Sequence, residues 1–261
     1  MKKIYLIGIG TGNPEHLTIQ AINTFKKVNV FFILEKESEK NEDLVKIRKE
    51  ILQRYLPDER CRVVAIKIPK RKKGGRELDD YKQRVASWRK QKAEIIADLI
   101  NQEMADGETG AILIWGDPSL YDGHIEVFNY ILKEGWADFE FEVIPGITSI
   151  QVLAARHKIP LNFIGEGIHI TTGRRLKEIH PDDVKNSVVL LDNYLTYRSF
   201  ADSDLHIYWG AYLGTEKEIL IYGRLKEVLD EIIRKRNEAR KSNGWIMETY
   251  ILRAKGEEVK G

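Results

Sequence analysis

Apolar runs and amphipathic stripes alternate along roughly the first 160 residues. "KIYLIGIG" (3–10) is apolar at consecutive positions and ends in glycines, which predicts a strand buried on both faces rather than a helix. A helical stripe follows in "LTIQAINTFKKVN" (17–29), with the Thr18 hydroxyl placed to cap its first turn. "VFFIL" (30–34) predicts a second buried strand, "EDLVKIRKEILQRYL" (42–56) a helix ended by Pro57, and "CRVVAIKIP" (61–69) a third strand. From Leu78 to about Met104, Tyr81, Val85, Trp88, Ile95 and Leu99 recur at helical spacing and predict one long amphipathic helix. "GAILIWG" (110–116) then reads as strand and "IEVFNYILKEG" (125–135) as a helix closed by Gly135. "FEFEVIPG" (139–146) reads as strand and "ITSIQVLAARHK" (147–158) as helix.

Beyond residue 163 the pattern changes. "GIHITTG", "SVVLLD", "LHIYWGAYLG", "EILIYG" and "WIMETYILRA" are strand-like, with one strong helix among them, "LKEVLDEIIRKRNEARK" (225–241). That helix gathers Leu225, Val228, Leu229, Ile232 and Ile233 on one face and stops before Gly244. The strict alternation of the first part predicts a parallel sheet covered by helices on both faces, and the strand-rich second part a mixed sheet. The expected architecture is two α/β domains, 1–160 and 161–261, with the boundary near "HKIPLNF".

Composition narrows the function classes. With 43% hydrophobic and 31% charged residues the chain has enough apolar content for a real core. Forty-two basic against 40 acidic residues leave a net charge of +2, which argues against a protein whose main task is coating nucleic acid. One cysteine, Cys61, excludes a disulfide framework within one chain and points to a reducing compartment. No apolar run approaches the ~18 residues of a membrane-spanning helix. "MKKIYLIGIGTG" mimics a signal peptide, but its glycines interrupt the apolar run, so a cytoplasmic protein is expected. The histidines (His16, His124, His157, His169, His180, His206) lack ligand spacing, so no metal is expected. "KIPKRKKGGR" (67–76) carries six positive charges, yet acidic "ELDD" follows and no aromatic residue interleaves it. A solvated loop is the expectation there, with an RNA grip as the rival.

Three loops hold the candidate chemistry. Gly8-x-Gly10-x-Gly12 follows a strand, but its spacing and the delay to Thr18 do not fit the dinucleotide fingerprint. Glu35, at the end of the second strand, is a weak ribose acceptor. A bare turn and a different ligand loop both stay open for this stretch. "WGDPSLYDG" (115–123) leaves a strand with more glycine, proline and aspartate than a turn needs, in the position where parallel sheets bind ligands. Its plain alternative is ordinary turn chemistry. In "VIPGITSIQVLAARHKIPL" (143–161), Thr148 and Ser149 open a helix, either as caps or as ligand contacts.

In this order and on this two-domain layout, the three loops resemble those of the tetrapyrrole methylase family. The matching stretches are "IGIGTGNPEHLTIQA", "WGDPSLYDG" and "VIPGITSIQVLAARHKIPL". "NVFFILEK", "DLHIYWGAYLGTEKEILIYGRL" and "GWIMETYILR" extend the likeness to nearly the whole chain, toward the family's deacetylating precorrin branch. The resemblance implies S-adenosylmethionine as methyl donor, bound in a cleft between the domains, and no metal. On that basis Trp115, Gly116, Asp117, Leu120, Thr148, Ser149, Leu213, Gly214 and, less directly, Asp192 are the expected donor-binding residues. Gly10, Thr11 and Gly12 would face the tetrapyrrole, and Thr11 stands where many relatives carry proline.

The implied reaction methylates C-1 of precorrin-5 and releases acetate, giving precorrin-6A. Asp117, Tyr121, Asp122 and His124 are the candidates for activating water, and Arg156, Arg174 and Arg175 for binding substrate carboxylates. A homodimer is also implied. The alternatives are another precorrin methyltransferase or a diphthamide-type enzyme of the same fold, an RNA-modifying methylase, or a nicotinamide-dependent oxidoreductase.

Overall fold

A computed structural model describes residues 1–36, 42–56, 61–68 and 78–254. Their chain folds into two compact units, Met1–Ile147 and Thr148–Gly261.

The first unit is built on five parallel strands: β1 (Lys2–Gly8), β2 (Val30–Lys36), β3 (Arg62–Ile68), β4 (Thr109–Ile114) and β5 (Phe139–Ile144), ordered β3-β2-β4-β1-β5. Its helices are α1 (Ile19–Phe25), α2 (Glu42–Tyr55), α3 (Leu78–Glu103) and α4 (His124–Glu134). The continuous apolar run of β1 has a simple cause. Ile4 and Leu6 enter one core with residues of α3 and α4, while Tyr5 and Ile7 enter the other with residues of α1 and α2. At the sheet edge, β5 alternates instead, with Glu140 exposed and Phe139 buried.

Thr18 caps α1 as the sequence suggests, its hydroxyl accepting from the Ala21 amide at 3.0 Å, although α1 ends at Phe25 rather than near Asn29. Gly135 closes α4 in the left-handed conformation, its amide bonded to the carbonyls of Ile131 and Leu132. β2 pairs with β4 over Val30–Phe32, whereas β2 and β3 stay paired to Lys36 and Ile68. Where β2 and β4 part, the Arg48 side chain from α2 donates Nε to the Leu113 carbonyl at 3.2 Å.

The second unit carries a mixed sheet ordered β6-β7-β10-β8-β9, from β6 (His169–Thr172), β7 (Asn186–Leu190), β8 (Leu205–Ala211), β9 (Ile219–Arg224) and β10 (Glu248–Ala254). Only the β6–β7 pair is parallel. Its helices are α5 (Ser149–His157), the short α6 (Gly173–Leu176) and α7 (Leu225–Asn243), which Gly244 terminates. Leu225, Ile232 and Ala239 of α7 join Val189, Trp209, Tyr250 and Leu252 of the sheet in one core.

The division between units falls ahead of the expected 160/161 boundary because α5 packs on β8, β9 and β10. A Cβ on Gly210 of β8 would lie 2.7 Å from the side-chain methyls of both Leu153 and Leu213, so the bare backbone there gives Leu153 of α5 its seat on the strand. The "HKIPLNF" stretch is anchored to the same unit. Arg253 donates to the carbonyls of Pro160 and Leu161, and Asn186 donates to Leu161 at 2.8 Å.

Candidate functional site

Three of the singled-out loops meet in the first unit because β4, β1 and β5 are neighbours and parallel, so their carboxyl ends emerge side by side. Gly10 and Gly116 form an antiparallel bridge, with bonds of 3.3 and 2.7 Å in the two directions. The packing is close enough to require glycine: a Cβ on Gly8 would lie 2.6 Å from the Gly146 amide nitrogen and 2.8 Å from the Gly116 carbonyl oxygen. Asp117 fastens the third loop, accepting from the Gly146 amide at 2.8 Å through Oδ2. Through Oδ1 it accepts from the Ser119 amide at 2.8 Å and from the Ser119 hydroxyl. Its carboxylate is therefore engaged in holding the loops. Thr11 is buried and its hydroxyl lies 3.1 Å from His16 Nδ1; Gly10 and Gly12 flank it with φ of 73° and 120°.

Further along the second loop, Tyr121 adopts φ 56° and keeps 48% of its surface exposed, an unusual conformation for a bulky residue. Asp122, just ahead of α4, accepts from the His124 amide at 3.0 Å and pairs with His124 Nδ1. His124 is buried, and its Nε2 has no hydrogen-bond partner among the described residues. Burial pushes the His124 imidazole below its ordinary pKa, and the positive charges of Lys92 and Arg48 push the same way against the pull of Asp122. Burial raises the Asp122 carboxyl, but its bonds to His124 and the nearby Lys92 prevail and hold it below the usual carboxylate range. Arg48, also buried, is brought down to about 10 by desolvation. The Arg48 guanidinium lies 6.0 Å from the half-buried Trp115 ring.

The residues singled out in the second unit divide by role. Thr148 caps α5: its hydroxyl accepts from the Ile150 amide at 3.2 Å, and Gln151 Oε1 accepts from the Thr148 amide at 2.9 Å. Ser149 Oγ accepts from the Thr249 hydroxyl at 3.0 Å, tying α5 to β10. Asp192 is buried and fully engaged. It accepts from the amides of Tyr194 (2.9 Å) and Thr196 (2.7 Å) and from the hydroxyls of Thr196 (3.0 Å) and Tyr250 (2.7 Å). These bonds hold Leu191 at φ 54° and Leu195 at φ 56°, with Leu191 exposed.

Gly214 takes φ 77°, and its amide donates to Glu218 Oε2 at 2.9 Å; Leu213 is buried beside it. Arg156 donates Nε to the other oxygen of Glu218. Arg174 and Arg175 lie on α6, where Arg175 pairs with Glu178 at 2.7 Å.

The sequence reading had missed Arg48, Lys92, Glu218 and Thr249. A signal existed for the first two: each interrupts the apolar stripe of its helix, Arg48 between Leu44 and Leu52, Lys92 between Trp88 and Ile96. Thr249 meets Ser149 and Glu218 meets Arg156 across large separations in sequence, for which no local signal exists. The basic stretch 69–76 lies outside the described residues. Among the described residues no group of three His, Cys, Asp or Glu is placed to hold a metal ion, and no helix is long and apolar enough to cross a membrane.

The family model for tetrapyrrole (corrin/porphyrin) methylases matches residues 3–229. The chain belongs to the tetrapyrrole methylase family. Within it, a precorrin-6A synthase [deacetylating] from Sinorhizobium sp is 45% identical over 253 residues, covering 97% of this chain and 95% of that one. A solved cobalamin synthesis related protein (CobF) from Corynebacterium diphtheriae superposes with a TM-score of 0.83 at 36% identity, covering 97% of this chain and 98% of that one. The methyltransferase CobJ, at 12% identity and a TM-score of 0.63, shares the tetrapyrrole methylase fold.

Proposed function

We propose that the protein methylates C-1 of precorrin-5 with S-adenosylmethionine and releases the acetyl group at that carbon as acetate. The observation that carries this reading is the match to the deacetylating precorrin-6A synthase, which runs through 97% of the chain. When bound, the donor supplies an electrophilic sulfonium methyl group, and the electron-rich macrocycle supplies the attacking carbon. The protein's work is then alignment, which suits loops rich in glycine backbone and a carboxylate committed to loop shape.

The residues fit such a donor. Trp115 and Leu120 are half-buried apolar surfaces, Gly116 and Gly214 turn the backbone at left-handed positions without a side chain, and Leu213 is buried beside Gly214. We assign donor binding to these residues together with Asp117, Thr148 and Ser149, with Asp192 shaping its own turn through Tyr194 and Thr196. The first unit contributes the Gly10–Gly12 loop toward the tetrapyrrole, and Arg174 and Arg175 the charges for its carboxylates.

Acetate release needs water to lose a proton as its oxygen adds to the acetyl carbonyl. His124 is the group best suited to receive it. Asp122 occupies Nδ1, which leaves the lone pair on Nε2, and burial keeps the ring neutral. His124→Asn is expected to lower acetate release by about 100-fold or more. Assembly as a homodimer and residence in the cytoplasm belong to the same proposal.

The decisive experiment incubates the enzyme with precorrin-5 and methyl-labelled donor and follows label incorporation and acetate together. Methylation without acetate would overturn the deacetylating assignment. Tight calorimetric binding of NAD(P) with no signal for S-adenosylhomocysteine would overturn the methyltransferase reading altogether.

A further inference from the structure

Arg156 and Glu218 are held by one another and by the backbone of a single turn. Glu218 is largely buried, with 12% of its side chain exposed, and its two oxygens serve different partners: Arg156 Nε on Oε1 and the Gly214 amide on Oε2. The turn that it closes is strained. Tyr212 sits at φ 50° and Gly214 at φ 77°, and Thr215 donates both its amide (3.0 Å) and its hydroxyl (2.8 Å) to the Tyr212 carbonyl. Such a conformation persists only where its surroundings hold it, and the Glu218 carboxylate supplies the bond across the turn.

Arg156 stands one helical turn beyond Leu153, the α5 side chain that packs over Gly210 and next to Leu213. One face of α5 therefore touches the Gly210–Glu218 segment twice, once through apolar contact and once through charge. The N-terminus of the same helix carries Thr148 and Ser149, ~10 Å away along its axis.

We propose that Glu218, locked by Arg156, is a positioning residue that sets the Leu213–Gly214 backbone for the methyl donor, and that it acts on donor affinity rather than on the chemical step. This rests on the assignment of Leu213 and Gly214 to donor binding made above. It also gives Arg156 a different task from gripping a substrate carboxylate. The Arg156 guanidinium on Oε1 orients the Glu218 carboxylate so that Oε2 meets the Gly214 amide, and a carboxylate bond to an amide is stronger than a neutral one.

The test is calorimetric titration of S-adenosylhomocysteine with the wild type, Glu218→Gln, Arg156→Gln and Arg156→Lys, paired with steady-state kinetics on donor and precorrin-5. In Glu218→Gln the Kd should rise about tenfold, the KM for donor should follow it, and kcat should change by less than about twofold. Arg156→Gln should move the same two constants in the same direction, and Arg156→Lys should recover most of the loss. Arg156 is 57% exposed, so its variants are expected to fold even where Glu218→Gln does not.

A wild type that binds S-adenosylhomocysteine while all three variants bind it equally well would overturn the inference. So would an Arg156→Gln enzyme whose defect lies in the KM for precorrin-5 alone. Failure of the wild type to bind S-adenosylhomocysteine would instead overturn the reading on which the inference rests.

Discussion

At the scale of single residues, the Asp117 carboxylate accepts from two backbone amides and a hydroxyl, and so ties the second loop to itself and to the third. Removing it leaves the Gly146 amide to find another acceptor in a crowded place. Asp117→Ala should lower stability by about 2 kcal/mol, read from urea midpoints, and weaken S-adenosylhomocysteine binding in parallel. Gly8 makes a different demand, for space. The Cβ of Gly8→Ala would meet backbone atoms of Gly146 and Gly116 that have no rotamer to escape into, so this variant should lose about 3 kcal/mol or fail to fold.

At the scale of elements, α5 and the central strand β10 carry the arguments. Thr148 and Gln151 complete a reciprocal cap at the start of α5, and Thr148→Ala should cost about 1 kcal/mol. β10 buries an ion pair: Glu248 accepts from Arg236 of α7 at 2.7 Å and from the Trp209 indole at 2.9 Å, with both charged side chains 3% exposed. Glu248→Ala would strand the Arg236 charge in the core and should destabilise by roughly 3–5 kcal/mol in denaturant unfolding. A paired apolar replacement at both positions should recover most of that loss.

These elements also show where sequence reading reaches. Thr18 and Thr148 are legible as caps because a cap is a local contest for the amides of the first turn. The allegiance of α5 to the second unit is not legible, since it depends on packing against β8, β9 and β10, which lie far along the chain.

For the whole molecule, acid should be the destabilising direction below neutrality. His124 and His157 both have lowered folded pKa values, each chiefly through burial. A group with a depressed folded pKa contributes stability that is full above its unfolded value, near 6.5, and is lost as pH falls through the folded value. Asp122 adds to the loss at lower pH, because its folded pKa is also depressed. Urea midpoints should therefore fall between pH 7 and 5, and His124→Asn should flatten that fall. Equal slopes in wild type and variant would remove His124 as its source. Glu248 runs the opposite way: burial raises its folded pKa, so its contribution is lost as pH rises through that value.

The sequence by itself determined the layers, most of the element ends and the three loops at the strand ends. Continuous apolar runs, period-3.6 stripes, caps and glycine stops are settled among residues a few positions apart. Only the tertiary structure decided what those loop residues do. Asp117 became a fastener when β4 and β5 flanked β1, Asp192 the closed centre of a turn when Tyr250 and Thr196 reached it, and Arg156 the partner of Glu218. Burial supplied the rest. It placed Arg48 and Lys92 beside Asp122 and His124, and the desolvation that lowers Arg48 and His124 exists only once strands and helices distant in sequence have closed around them.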